Sequence, residues 1–245
     1  MKKIILFIVF CTSFGISQNP FAITIDKSQG LPSNSVYDVF QDRKGFMWFA
    51  TGKGLCRYDG YQFKVFTADF QTSKSGSCIA EDSYGRIWYS NFDGFLYYVD
   101  KGAIHALPQQ KSIGYYKFGI LKNELFLVQA NAILVYDLKT LKIKFKHKIR
   151  DKQIRTCIAT PDKFYVLGDF FYELGSHNRI RKYPLPSDFY TSIVTPILGT
   201  WNDKIMLISK YNSTYFIFDK GTFSSKKIKI FIFFIKFMFS LTKFN

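Results

Sequence analysis

The side chains able to do acid–base, nucleophilic or metal chemistry are few in these 245 residues, and their spacing is poor. The three histidines are His105, His147 and His177. His147 lies in KIKFKHKIR, read as a strand, and His177 in ELGSHNRIR, read as a turn. The carboxylates Glu81 and Asp82 are adjacent, whereas Asp151, Asp162, Asp169 and Glu173 are scattered through turn-like segments. A hydrolase or lyase site needs a convergent His or carboxylate cluster, often around a metal. No Ser–His–Asp order and no metal-ligand spacing is found, so no catalytic, cofactor-binding or metal residue is expected. The cysteines Cys11, Cys56, Cys78 and Cys157 form no C-x-x-C pair, and Cys56, Cys78 and Cys157 read as small hydrophobes.

Basic chemistry is more abundant. The formal charge is +16, but Lys2, Lys3 and the lysines of residues 220–245 carry half of it. The segment KTLKIKFKHKIRDKQIR (139–155) alternates Lys142, Lys144, Lys146 and Lys148 with apolar residues. A period of two is that of a half-buried strand with its lysines in water. Such a strand could also track phosphates. Export, argued below, weighs against nucleic acid as a partner and leaves anionic glycans or lipid head groups.

The residues that recur are of another kind. QDRKGFMWFATGKGLCRYDG (41–60) aligns without a gap on EDSYGRIWYSNFDGFLYYVD (81–100). Asp42 meets Asp82, Gly45 meets Gly85, Trp48 meets Trp88, Gly54 meets Gly94 and Tyr58 meets Tyr98. Asp-x-x-Gly is turn chemistry: the carboxylate takes backbone N–H groups and the glycine takes positive φ. The tryptophans follow on a strand, where a large flat ring fills the gap between sheets. All ten residues are therefore read as a structural framework, with sugar stacking by Trp and Tyr as the competing idea.

Turn residues continue at Asn123, Asp162 and Asp203, each followed by two short apolar runs. Aromatics make up 19% of the chain, and no helical period appears before the C-terminal segment. Repeated four- to six-residue runs on a step near 40 predict an all-β propeller of about five units, an incomplete ring. The units span 18–221 and are clearest at 30–102. Residues 1–17, MKKIILFIVFCTSFGIS, have the pattern of a signal peptide, with cleavage expected after Ser17. Residues 222–245 read as a Lys/Phe/Ile-rich tail, for which an abnormal terminus, an edge strand and membrane contact all stay open.

GLPSNSVYDVFQDRKGFMWFATGKGLCRYDGYQFKVF (30–66) resembles the opening of the two-component regulator propeller. The second copy matches more loosely, since Phe92 stands where the first has Gly52, which puts that turn in question. The resemblance implies the periplasmic sensor region of a membrane histidine kinase or hybrid regulator, with dimerisation in full-length relatives. No Gly-rich ATP-binding box or H-box occurs here, so a truncated sensor is expected, reaching the membrane only through a downstream segment. Its function would be to receive an extracellular ligand, such as a glycan, without catalysis. The alternative is a free-standing secreted binding or scaffold propeller.

Overall fold

In the computed structural model the described residues are 24–108, 118–151, 154–175, 179–189, 196–208 and 214–227. The proposed leader and residues 228–245 of the C-terminal tail lie outside them, as does His177.

Five four-stranded antiparallel sheets follow one another along the chain, each a simple meander. The first holds β1 (Val36–Gln41), β2 (Met47–Thr51), β3 (Gly54–Tyr58) and β4 (Phe63–Phe66). The second holds β5 (Gly76–Glu81), β6 (Ile87–Asn91), β7 (Leu96–Asp100) and β8 (Ala103–Ala106). The third holds β9 (Phe118–Leu121), β10 (Glu124–Gln129), β11 (Ala132–Asp137) and β12 (Lys142–Lys148). The fourth holds β13 (Thr156–Ala159), β14 (Phe164–Leu167), β15 (Phe170–Leu174) and β16 (Ile180–Pro184). The fifth holds β17 (Ile197–Trp201), β18 (Lys204–Ile208), β19 (Thr214–Asp219) and β20 (Thr222–Lys227). One three-residue 3-10 turn, Lys27–Gln29, precedes β1. The fifth sheet runs past 221, because Thr222–Lys227 pairs with β19 along its whole length. The start of the expected tail is therefore the outer strand of a blade.

The first strand of each sheet packs on the first strand of the next, in the order β1, β5, β9, β13, β17. This is the propeller arrangement, with one inner strand per blade. Among the described residues no strand of the fifth sheet packs extensively on the first sheet. The core lies between blades. Four apolar clusters fill the four successive interfaces, centred on Trp48 and Tyr89, on Trp88 and Leu125, on Phe126 and Phe164, and on Phe171 and Phe216. A middle strand covered on both faces must be apolar throughout rather than alternating. So β10 and β11 read ELFLVQ and AILVYD, whereas the outer strand β12, KIKFKHK, is almost wholly exposed.

Candidate functional site

The framework residues assemble at the first two blade interfaces. In the first blade Asp42 caps the β1–β2 turn. Its Oδ1 accepts from the Lys44 and Phe46 amides at 3.0 and 2.9 Å. Its Oδ2 accepts from Trp48 Nε1 at 2.7 Å. Gly45 closes the turn with φ +86°, a conformation that costs a residue with a Cβ. Asp82 repeats this in the second blade: Oδ1 accepts from the Tyr84 and Arg86 amides, and Oδ2 from Trp88 Nε1 at 2.8 Å. Gly85 has φ +77°. Trp48 is 4% exposed and Trp88 0%. Each indole is thus both a wedge between blades and a donor to its own turn. The sequence reading assigned the two roles separately and missed the Asp–Trp bond; the six-residue Asp–Trp spacing was the signal for it.

The gapless alignment holds through the second strand of each blade and fails after it. Trp48 pairs with Arg57, but Trp88 pairs with Tyr98. Tyr98 therefore occupies the place of Arg57, and the counterpart of Tyr58 is Val99. The cause is a hairpin one residue longer in the second blade. There Gly94 (φ +87°) belongs to a turn in which the Asn91 carboxamide accepts from the Phe95 amide, while Gly54 (φ +118°) already begins β3. Phe92 is accommodated without a change of fold. Its amide donates to Ser75 just as that of Gly52 donates to Ser35, and its ring meets Tyr37 edge-on at 4.8 Å. Gly52 has no positive φ, so the turn does not require glycine.

The later units keep the turn position and change its chemistry. Asn202 and Asp203 both have positive φ in a two-residue turn, and Pro161–Asp162 lies in a turn closed by Thr160 and Lys163. Trp201 stands on the inner strand of its blade, unlike Trp48 and Trp88.

Across the first blade Phe40, Trp48, Arg57 and Lys64 are successive partners on the face turned to the second blade. Opposite run Glu81, Ile87, Val99 and Ile104. Between them opens a groove of about 170 Å³, lined by Lys44, Phe46, Arg57, Lys64, Glu81 and Lys101 among others. The equivalent row of the second blade, Ala80, Trp88, Tyr98 and His105, faces the third. Arg86 fills that interface. It donates to Asp82 Oδ2 at 2.6 Å and to the Leu138 carbonyl at 2.5 Å, and its guanidinium lies 5.0–5.4 Å from the Tyr84, Trp88 and Tyr98 rings.

At the inner end of the first interface Asp38 reaches across to the Ile79 amide at 2.7 Å. Cys78, with φ 57° at a bulge, turns its own amide toward the same carboxylate. Burial raises the pKa of Asp38 above the ordinary carboxylate value, against the effect of these bonds. Burial also pushes the Cys56 thiol up to about 12, which keeps it protonated and unreactive at neutral pH.

The remaining candidates do not converge. His105 stacks on Tyr98 at 5.1 Å on outer strand β8, and His147 lies on outer strand β12. Asp151 accepts from the Asp169 and Phe170 amides and from the Tyr172 hydroxyl. Glu173 pairs with Lys163 and Arg181, and Glu81 with Arg43. Among the described residues no three His, Cys, Asp or Glu side chains form a metal-sized group.

Comparison with known proteins agrees with this architecture. Residues 30–53 match the model of the two component regulator propeller family. A comparison with the curated proteins found no match. Among solved structures, a streptogramin B lyase superposes with a TM-score of 0.65 at 17% identity, over 82% of this chain and 71% of the lyase. Virginiamycin B lyase from Staphylococcus aureus gives 0.64 at 14% identity, over 79% and 70%. The extracellular domain of a hybrid two component system from B. thetaiotaomicron gives 0.62 at 18% identity, over 84% of this chain and 32% of that domain. The chain thus spans about a third of that extracellular domain. At these identities the likeness is one of fold: this is a β-propeller-type chain, of which residues 30–53 match the two component regulator propeller model.

Proposed function

We propose that this chain is an extracytoplasmic sensing propeller of a two-component signal transduction system, which acts by binding a ligand or partner rather than by catalysis. The observation that carries the reading is the family match at 30–53, on the Asp42–Trp48 unit that sets the blade. The fold shared with extracellular domains of hybrid systems supports it. So does the leader pattern of residues 1–17, which would deliver the chain to the periplasm. Phosphotransfer would then lie in another segment or another protein.

The test is location together with response. A tagged chain in its own host should be cut near Ser17–Gln18 and be accessible to protease from the periplasmic side. An intact Met1 in the cytoplasm would refute the reading. The lyase neighbours raise a second possibility, catalysis. A His-to-Ala variant of the Staphylococcus aureus enzyme is catalytically inactive. In this chain the two described histidines stand on outer strands, away from the inner strands that line a propeller's axis. Incubation with quinupristin should therefore give no product.

A further inference from the structure

The groove between the first two blades has the composition of an anion site. Its one partly buried cation is Arg57, whose guanidinium carbon lies 4.4 Å from the Phe46 ring centre and 6.0 Å from that of Trp48. Among the described residues Arg57 Nε is buried with no hydrogen-bond partner. No acceptor among the described residues is spent on this guanidinium, and its two terminal nitrogens, unlike Nε, are not sealed from solvent, which leaves them for an acceptor from outside. Among the described residues Arg57 makes no salt bridge, and neither do Lys44, Lys64 or Lys101 around the same groove.

The two carboxylates of the lining are already engaged. Asp42 holds its own turn and Trp48. Glu81 takes the Arg43 amide at 2.8 Å and its guanidinium at 3.1 Å. Four cations thus share a groove with two carboxylates whose oxygens are turned to other donors. The ammonium groups come from both sides: Lys44 and Lys64 from the first blade, Lys101 from the β7–β8 turn of the second. Lys64 Nζ reaches across to that turn, 3.7 Å from where a side chain on Gly102 would begin. Phe46, Trp48 and Phe66 wall the groove and lower the local dielectric, which strengthens charge-assisted bonds. About 170 Å³ holds a tetrahedral oxyanion together with part of the group that bears it.

We infer that this groove binds a sulfate- or phosphate-type oxyanion, free or as the ester group of a small molecule, with Arg57 as the central donor and Lys44, Lys64 and Lys101 around it. Its use as a sensing subsite rests on the function proposed above; the binding does not. A bound anion would bridge two blades and so favour the packed interface.

The experiment is calorimetric titration of the full chain at low ionic strength with sodium sulfate, sodium phosphate and methyl sulfate, against a sodium chloride control of equal ionic strength. One saturable site is expected. Methyl sulfate binding beside sulfate assigns an ester-borne group; sulfate alone assigns the free ion. Arg57→Met keeps an apolar stem over Phe46 and should weaken binding at least tenfold. Lys64→Ala, at an exposed position that leaves the core intact, should weaken it several-fold, while Lys146→Ala on β12 should have no effect. The inference is overturned if no saturable heat appears, or if Lys146→Ala weakens binding as much as Lys64→Ala does, which would mean diffuse attraction by the basic surface. Either failure leaves export and the sensing reading standing.

Discussion

The first and second blade interfaces are built on one plan and finished in opposite ways. Both place an Asp–Trp unit in the same turn and strand. At the second interface the cation sits on the turn, as Arg86, and its own Asp82 neutralises it within a covered space. At the first, the turn carries Phe46 and the cation has moved to the next strand as Arg57, which stacks but has no counter-ion among the described residues. Exchanging the aromatic and the guanidinium between two neighbouring strands converts a sealed seam into an open, positive groove. The inner ends are also reversed. Asp38 fastens the first interface through the Cys78–Ile79 amides, while the Cys78 and Ala80 side chains pack at the second.

The comparison breaks most visibly at its two arginines. Arg86→Met leaves the buried Asp82 carboxylate without its ion partner and the Leu138 carbonyl without a donor. Removal of one member of a buried pair costs about 3–5 kcal/mol. Arg57→Met loses only a stacking contact, about 1 kcal/mol. Urea unfolding of both variants measures the difference; equal costs would mean that the two seams are energetically alike.

The tryptophans test the same contrast at smaller scale. Trp48→Phe keeps a ring but removes the N–H that Asp42 Oδ2 accepts, at about 1–2 kcal/mol beyond the loss of volume. Trp88→Phe removes the same bond but leaves Asp82 with Arg86, so this added cost should be smaller. The double variant Phe46→Arg, Arg57→Tyr transplants the second seam into the first. It should abolish oxyanion binding, because the guanidinium would then sit beside Asp42 as that of Arg86 sits beside Asp82.

Much of this was legible in the sequence, and the limits have physical causes. Asp42-x-x-Gly45 and the Trp spacing announced the blade because turn chemistry is local: one side chain and one φ decide it. The runs FMWFAT, RIWYSN, LFLVQA, FYVLGD and IMLISK each overlap the second strand of a blade for the same reason. The one-residue slip after Asn91 was not legible from identity. Gly94 and Tyr98 fall by chance in line with Gly54 and Tyr58, and only strand pairing shows that Tyr98 stands opposite Trp88. The groove was hidden by the same slip, since aligning Arg57 with Tyr97 conceals its exchange with Phe46. Asp38 carries no signal of its own in the sequence. Its partner is a bulge 41 residues away, and neither local pattern nor period points to it.

That bulge supplies the smallest effect, one of pH. Asp38 is held by amides from Val39, Cys78 and Ile79, yet burial outweighs them and raises its pKa. A folded-state carboxyl with a raised pKa binds its proton more tightly than the unfolded chain does. Its contribution to stability is therefore greatest at low pH, declines as pH rises from the ordinary carboxylate value of about 4 to the folded pKa, and is constant above that. Asp38→Asn removes the titration and retains one oxygen to accept from Ile79. The difference in Tm between the parent chain and the variant should thus fall by a few degrees across that acid range and then level off. A matching substitution at the second interface, Cys78→Ser, introduces no carboxyl and should give a difference that does not vary with pH between 4 and 7. If the Asp38 difference instead grew with pH, the amides would outweigh burial, and the inner end of the first seam would be an anion trap rather than a strained fastening.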